Sequence, residues 1–386
     1  MQRELDAVLE SGIERGATPG AVAVIVDRDG LRYEGAAGER AMGSGVLMTL
    51  DTVGALFSMT KPLTGAAAMQ LVERGQLSLD GPAADVCPEL GEVAVLDGFD
   101  HDGSPITRPP KAPVTLRHLL THTSGYVYDI WNTDALRWHE VTGEPNVLTL
   151  RKAALREPLM FDPGARWEYG IGLDWVGQMV EAVSGMTLGD YLKQHLTGPL
   201  GMVDTAFVHS PSMLERVAAI HARLPDGLLA PIKLEPPENP EFEMGGGGLH
   251  GTMVDYARFI RMILNDGELD GTRVLSPETV SVMSQNHIGD LRVQKLSTAM
   301  PQLSNDAEFF PGDPKSWGLT FQINELPGPT GRPAGTLMWA GLANSYFWID
   351  RLNGIGGVYL SQILPFSDTM SMELFFEVER TVYSTL

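Results

Sequence analysis

The sequence has few of the features that mark disulfide-rich, metal-clustering or membrane-spanning chains. Cys87 is the only cysteine in 386 residues, which excludes a disulfide within the chain and a cysteine-rich zinc or iron–sulfur site. Its neighbours in ADVCPEL include no cation, which favours a small semi-buried side chain over a reactive thiol. The sequence also has no apolar run long enough to span a bilayer and no internal repeat.

Cations are scarce as well, because 28 lysines and arginines stand against 49 aspartates and glutamates, a net charge of −21. Such a field repels phosphate backbones and anionic lipid, so nucleic acid and membrane surfaces are poor partners. The first segment, MQRELDAVLESGIERG, is amphipathic and lacks the basic and apolar regions of a secretion signal. We therefore expect a first surface helix and a cytoplasmic location.

The apolar patterns predict two parts of the chain. GAVAVIVDRDGLRYEG predicts a β-hairpin, and SWGLTFQINEL, GTLMWAGL, NSYFWIDR and GIGGVYLSQIL predict an antiparallel meander before a last helix, roughly Thr369 to Tyr383. Between about 79 and 245, helical segments alternate with loops rich in Pro, Gly and Asp. The prediction is an α+β fold (α/β sandwich): residues 1–78 and 246–386 form an antiparallel sheet flanked by helices, and 79–245 form an inserted all-helical domain with the substrate-cleft loops.

Ser58 and Lys61 stand three residues apart in FSMTKPLTG, at the start of a predicted helix. Positions i and i+3 share a helix face, so the amine can reach the hydroxyl. A lysine held neutral can activate a serine, and burial near a helix N-terminus lowers the pKa of an amine in this way. The spacing alone is a weak indication of catalysis and is also compatible with Ser58 as the N-cap of the helix.

Two later segments can supply the remaining parts of such a site. Tyr169 ends the loop DPGARWEYG before a predicted helix, where a phenol can relay a proton to a leaving group. The strand GTLMWAGL ends in Trp339-Ala340-Gly341, where small residues let a substrate approach backbone N–H groups. The alternative for Tyr169 is a half-buried structural role. The alternative for the Trp339-Ala340-Gly341 strand is ordinary β-structure in the core.

Other polar clusters do not indicate a metal, a phosphate or a second nucleophile. His122 in LLTHTSG is typical of a helix-ending turn, because the chain contains no G-x-S-x-G elbow. The cluster at 100–102 lacks ligand spacing and predicts a solvated loop. The run at 245–248 lacks the Lys-Ser/Thr of a phosphate loop and is interpreted as a flexible strand entry beside the cleft. Trp131 and Trp138 either shape a substrate pocket or pack in the core.

FSMTK, WEYG and WAGL, in this order and with these separations, resemble the serine β-lactamase and penicillin-binding-protein superfamily. The resemblance is closest to the class C branch and to the family VIII carboxylesterases, and it covers almost the whole chain. VTLRHLLTHTSG, DPGARWEY and GGGGLHGTMVDYARF support it. The resemblance implies a site between the sheet and the helical domain.

The resemblance also implies a role for each matched residue. Ser58 would be the acylated nucleophile, Lys61 its base or proton relay, and Tyr169 the tyrosine of the Y-x-N element. The amides of Ser58 and Leu342 would form the oxyanion hole. Tyr128 matches a tyrosine that lines the esterase pocket. No metal or organic cofactor is expected.

Two departures from the lactamase pattern bear on the substrate. Trp339-Ala340-Gly341 stands where lactamases and transpeptidases have K-T-G. The chain therefore lacks the ammonium and hydroxyl groups that bind a substrate carboxylate in those enzymes. Tyr169-Gly170-Ile171 lacks the amide of Y-x-N. Both changes make the cleft more apolar, so we expect Trp339 and Gly341 to face a small neutral ester in a serine carboxylesterase for short-chain esters. A β-lactamase or D,D-peptidase, an acyltransferase and a non-catalytic binding protein remain alternatives, and the oligomeric state, monomer or dimer, is left open.

Overall fold

The structure, a computed structural model, describes residues 1–234, 237 and 239–386. The helices in chain order are α1 (Gln2–Glu14), α2 (Lys61–Glu73), α3 (Leu116–Thr121), α4 (Thr133–Thr142), α5 (Gly172–Ser184), α6 (Leu188–Leu192), α7 (Pro211–Leu214), α8 (Met253–Leu264), α9 (Pro277–Met283) and α10 (Thr369–Ser384). The strands are β1 (Gly20–Asp27), β2 (Leu31–Gly38), β3 (Gly54–Ala55), β4 (Val95–Phe99), β5 (Pro105–Arg108), β6 (Ile220–Arg223), β7 (Leu229–Ile232), β8 (His250–Gly251), β9 (Glu268–Leu269), β10 (Thr272–Arg273), β11 (Lys315–Trp317), β12 (Gln322–Asn324), β13 (Leu337–Gly341), β14 (Ser345–Asp350), β15 (Ile355–Leu360) and β16 (Ile363–Leu364).

The main sheet brings the two ends of the chain together. In the described residues it has seven antiparallel strands in the order β11-β12-β13-β14-β15-β1-β2. The first hairpin joins the meander through β15, with Val24 opposite Val358. This arrangement confirms the predicted antiparallel sheet and hairpin. The segment SWGLTFQINEL forms two strands instead of one, because the chain turns between β11 and β12 at Thr320, whose φ is +84°.

Helices cover both faces of the sheet, as predicted. Neighbouring residues on a strand point to opposite faces. On β14, Tyr346 stacks on Phe375 of α10 with ring centroids 4.7 Å apart, whereas the next residue, Phe347, packs on Tyr256 of α8 at 5.2 Å. Every residue of β14 is buried as a result. None of the helices within the described ranges is both long and apolar enough to cross a membrane.

The insertion between residues 79 and 245 is not all-helical, and this part of the prediction is wrong. Besides α3 to α7 it contains the hairpins β4–β5 and β6–β7. Strand β6 also pairs with β16, with His221 opposite Ile363, so this hairpin is joined to the final part of the chain. The hairpins lack a strand signature in the sequence because β5 is exposed or half-buried along its whole length and shows no apolar alternation.

Candidate active site

Ser58 lies in a short 3₁₀ turn, Phe57–Thr60, that ends where α2 begins. The residue before it, Phe57, has a left-handed backbone with φ of +46°, a conformation that costs a bulky residue on the order of 1–3 kcal/mol. Thr60 occupies the N-cap position of α2. The alternative in which Ser58 caps this helix is therefore wrong, and the serine hydroxyl is presented at a strained turn.

Lys61 is fully buried, and its Nζ contacts three oxygen atoms. Nζ lies 3.2 Å from Ser58 Oγ, 2.9 Å from the Tyr128 hydroxyl and 2.7 Å from the Gly246 carbonyl oxygen. Burial lowers the pKa of Lys61 to about 7, although the nearby Asp174 carboxylate acts in the opposite direction. A neutral amine has two N–H groups and one lone pair. The carbonyl can only accept and the Tyr128 hydroxyl can take the second N–H, so the lone pair can face Ser58.

A buried carboxyl group, Asp174, stands behind the lysine and is missing from the predicted site. Its Oδ1 accepts the Gly246 N–H at 2.8 Å, while the Gly246 carbonyl accepts from Lys61. One residue of main chain thus links the acid to the base. Burial raises the pKa of Asp174, and the charge of Lys61 opposes this rise. A Cβ at position 246 would lie 2.6 Å from Asp174 Oδ2 and 3.0 Å from the Tyr128 hydroxyl, so the link requires glycine.

Tyr169 reaches the same group of atoms from the irregular segment before α5. Its hydroxyl accepts a hydrogen bond from Trp339 Nε1 at 3.1 Å, and its ring centroid lies 4.7 Å from Lys61 Nζ. Burial raises the pKa of Tyr169, whereas its hydrogen bonds with Ser58 and Trp339 act to lower it. The phenol therefore keeps its proton at neutral pH. Of the two groups beside Ser58, Lys61 is the one suited to act as a base.

His122 holds Tyr169 in place, which agrees with the structural role predicted for it. Its Nδ1 accepts the Gly170 N–H at 3.2 Å, and its ring packs on Tyr169 at 4.6 Å and on Trp317 at 5.0 Å. Burial and the charge of Lys61 lower the pKa of His122 well below its usual value, so the ring is neutral.

A narrow pocket opens at the serine. It is lined by Ser58, Trp131, Tyr169, Leu296, Trp339, Ala340, Gly341, Leu342 and Phe366. A Cβ at Gly341 would lie only 2.4 Å from the Leu56 carbonyl oxygen, so glycine lets the end of β13 approach the nucleophile turn. The structure thus brings together Ser58, Tyr169 and the Trp339–Leu342 segment, as predicted, and assigns Trp131 to the pocket wall. Leu296 and Phe366 lie outside every predicted motif.

The Tyr128 hydroxyl lies beside the buried lysine. It contacts Lys61 at 2.9 Å, and the pocket lining found among the described residues does not include Tyr128. Tyr128 therefore belongs to the buried network around the base, and its contact with substrate stays a prediction. Trp138 packs edge-on against His139 at 4.9 Å instead of lining the pocket. Among the residues described, one group of three has oxygen and nitrogen atoms close enough for a metal, at 100–102, and all three are exposed.

Comparisons with known proteins match this chain along almost its whole length. The Beta-lactamase family model matches residues 5–374. A lovastatin esterase from Penicillium rubens is 33% identical over 387 residues, covering 96% of this chain and 95% of that protein. A monacolin J acid methylbutanoyltransferase from Aspergillus terreus is 29% identical over 405 residues, covering 98% and 95%. Unliganded, selenomethionyl simvastatin synthase from Aspergillus terreus superposes with a TM-score of 0.84 at 29% identity, covering 99% of this chain and 97% of that one. Because the family model spans nearly the entire sequence, the chain belongs to the β-lactamase family and has the mixed helical and antiparallel-sheet fold of β-lactamase- and transpeptidase-like proteins.

Proposed function

We propose that this protein is a serine carboxylesterase that forms an acyl-enzyme on Ser58. The observation that supports this most directly is the 3.2 Å separation between Ser58 Oγ and Nζ of a fully buried lysine. A hydroxyl is a weak nucleophile until a base takes its proton. The relationship to a protein named for ester hydrolysis, at 33% identity along nearly the full length, supports the same assignment.

In the proposed acylation step, Ser58 Oγ attacks the ester carbonyl carbon while Lys61 takes the hydroxyl proton. The carbonyl electrons move to oxygen, and the backbone amides of Ser58 and Leu342 stabilise the resulting oxyanion. When the tetrahedral intermediate collapses, the bond to the alcohol breaks. The leaving oxygen receives the proton from Lys61 through the Tyr169 hydroxyl. In deacylation, water attacks the acyl carbon with Lys61 again as the base, and Ser58 regains its proton.

The buried network sets the direction of the pH dependence. Only the neutral form of Lys61 can accept a proton, and its pKa is lowered to about 7 by burial. Activity should therefore rise with pH through this range and fall as the pH drops below it. Tyr169 does not replace the base at low pH, because burial raises the pKa of its hydroxyl.

The pocket favours a small, neutral ester. Its walls are mostly aromatic and aliphatic, and the position at which related enzymes carry an ammonium is occupied by Trp339. The indole N–H of Trp339 is already used by Tyr169, so it does not bind a carboxylate. The chain's net charge of −21 further disfavours anionic substrates.

An acyltransferase is the second candidate, because the methylbutanoyltransferase relative matches 98% of this chain. Both activities share the acyl-enzyme and differ in the group that attacks it. In a transferase a bound alcohol competes successfully with water. A β-lactamase would instead need to hold a carboxylate that this pocket has no ammonium to bind.

The test measures turnover of p-nitrophenyl butyrate and of a chromogenic cephalosporin by the wild type, Ser58→Ala and Ser124→Ala. Ser124 is a suitable control because it is buried and follows His122 closely, yet lies outside the proposed network. We expect Ser58→Ala to lower ester turnover by roughly 10³-fold or more. Ser124→Ala should retain ester turnover, because Ser58 is still present in that variant. Ester turnover that survives Ser58→Ala contradicts the proposal. Adding a primary alcohol and quantifying the new ester against free acid then separates the transferase from the hydrolase.

A further inference from the structure

A second cavity adjoins the pocket at Ser58. Its lining consists of Trp167, Val293, Gln294, Leu296, Ala307, Glu308, Phe309, Lys315, Gln322 and Trp339. Leu296 and Trp339 line both cavities, so the two spaces share a wall beside the nucleophile. Gln294 is exposed, whereas Trp167 and Gln322 are 2% and 1% exposed. The lining thus includes both an exposed and two buried side chains.

Two residues that line the cavity, Trp167 and Gln322, carry hydrogen-bond donors for which the described residues supply no acceptor. Trp167 Nε1 and Gln322 Nε2 are both buried, and neither has a hydrogen-bond partner in the described part of the chain. Buried polar groups are nearly always paired in folded proteins. The neighbouring Trp317 follows the rule, since its Nε1 donates to the Leu120 carbonyl at 3.3 Å. Two unpaired donors at one cavity therefore indicate an acceptor that comes from outside the chain.

The charges around the cavity decide which acceptor fits. The Lys315 ammonium already contacts Glu308 at 3.1 Å and two main-chain carbonyls, of Phe310 and Asp313, at 3.1 and 2.8 Å. It has no N–H left for a ligand. An added carboxylate would meet the Glu308 carboxylate without a free cation to offset it. The remaining donors are neutral, which favours a neutral oxygen.

We propose that this cavity is a second substrate subsite that binds an uncharged carbonyl oxygen carried by the ester, such as that of a keto, amide or second ester group. The cavity holds about 10 Å³, which is the space of about one water-sized atom, so it suits a single oxygen. The proposal rests on the proposed function, because it assigns a second recognition element to the same ester substrate.

The test uses paired esters that differ only in a ketone replacing a methylene. In one arm the ketone lies in the acyl chain, as in p-nitrophenyl 4-oxopentanoate and 5-oxohexanoate against pentanoate and hexanoate. In the other it lies in the alcohol, as in 3-oxobutyl and 4-oxopentyl butyrate against butyl and pentyl butyrate. The readout is the ratio of kcat/KM for the keto ester to that for its alkyl partner. We expect a ratio of about three to ten per donor engaged, in at least one arm.

Three variants connect this preference to the two donors. Trp167→Phe and Gln322→Met each remove one donor and retain most of the side-chain volume, so each should reduce the ratio by about three- to tenfold. Trp317→Phe is the matched control, because it removes an indole N–H that is already paired within the same aromatic cluster. It should leave the ratio unchanged. A half-ester with a terminal carboxylate should be a poorer substrate than the corresponding ketone.

Several results would overturn the subsite. They are a ratio of one for every pair, a ratio that survives both donor substitutions, or an equal loss in Trp317→Phe. A crystal structure of Ser58→Ala with the best keto ester that shows only a water on Trp167 and Gln322 would also overturn it. Failure of the subsite is distinct from failure of the proposed function. In the first case Ser58-dependent turnover of alkyl esters persists, and in the second it does not.

Discussion

Two lysines are buried among the residues that the structure describes, and the groups around them show which can act as a base and which is a structural cation. Lys61 is 0% exposed and Lys315 is 2% exposed. Lys315 is surrounded by acceptors only, the Glu308 carboxylate and two main-chain carbonyls. Lys61 contacts one carbonyl, of Gly246, and the hydroxyls of Ser58 and Tyr128, and hydroxyls can donate as well as accept.

This difference determines what each lysine can do. Three acceptors require three N–H groups, which only an ammonium provides, and the direct ion pair with Glu308 offsets the cost of burying the charge of Lys315. No carboxylate of the described residues lies within ion-pairing distance of Lys61 Nζ. The Asp174 carboxylate, which is linked to Lys61 through Gly246, acts only to raise the pKa of the lysine. Burial without a direct counter-ion lowers the pKa of Lys61, and this makes it available as a base.

The largest expected effect is that of Lys61→Met, which keeps the side-chain length and removes the base. We expect kcat/KM for a p-nitrophenyl ester to fall by about 10³- to 10⁴-fold, at the upper end of what a general base contributes. Circular dichroism of the variant should match the wild type. If a folded Lys61→Met protein keeps a tenth of the activity, Lys61 is not the base.

Tyr169→Phe should have the next largest effect, because it removes the hydroxyl that relays the proton to the leaving alcohol. We expect kcat to fall by about 10²- to 10³-fold, with a smaller loss for esters whose alcohol is a good leaving group and needs no proton. Tyr126→Phe is the control, since Tyr126 is equally buried and lies outside the site. If kcat falls equally for p-nitrophenyl and alkyl esters, the Tyr169 hydroxyl does not relay the proton to the leaving alcohol.

Lys315→Met should act on stability instead. It leaves Glu308 without its counter-ion and two carbonyls without a donor, so the free energy of unfolding should fall by about 2–4 kcal/mol. Urea unfolding measures this loss. The acid limb of the remaining activity should stay where it is in the wild type. An acid limb that moves as far as in an Asp174 variant would show that the two lysines are not functionally different.

Asp174→Asn should have the smallest effect and the most specific one. The asparagine oxygen can still accept the Gly246 N–H, but the negative charge that favours protonated Lys61 is gone. The neutral amine is then favoured, so the acid limb of kcat/KM should move to lower pH by roughly one unit. Asp255→Asn is the control, because Asp255 is a buried carboxyl group bonded elsewhere, to Thr205. A uniform loss of rate with an unchanged pH profile would assign Asp174 a purely structural role.

Features that depend on local sequence could be predicted before the structure. The spacing of Ser58 and Lys61 follows from one helix turn, and the hairpin and meander follow from alternation and turn residues. The end of a strand at Trp339-Ala340-Gly341 could be predicted as well, because glycine is one of the residues that bound strands. Each of these features is decided by a few neighbouring residues.

Features that depend on tertiary packing could not be predicted in the same way. Asp174 lies in an apolar helix and becomes part of the site only because the Gly246 main chain packs against it. Leu296 and Phe366 reach the pocket from irregular segments without periodicity. The contact between Tyr128 and Lys61 could not be predicted either, because a motif match does not indicate which way a side chain points.

Trapping the acyl-enzyme tests directly whether Ser58 is the nucleophile. The protein is mixed with p-nitrophenyl butyrate, quenched in acid within the first turnover, digested and analysed by mass spectrometry. We expect a butyryl group on the peptide that contains Ser58 and none in Ser58→Ala. The group should accumulate in Lys61→Met or Tyr169→Phe if the substitution slows deacylation more than acylation. Ester turnover without acylation of Ser58, or acylation at another residue that turns over at the catalytic rate, would contradict the assignment of Ser58 as the nucleophile.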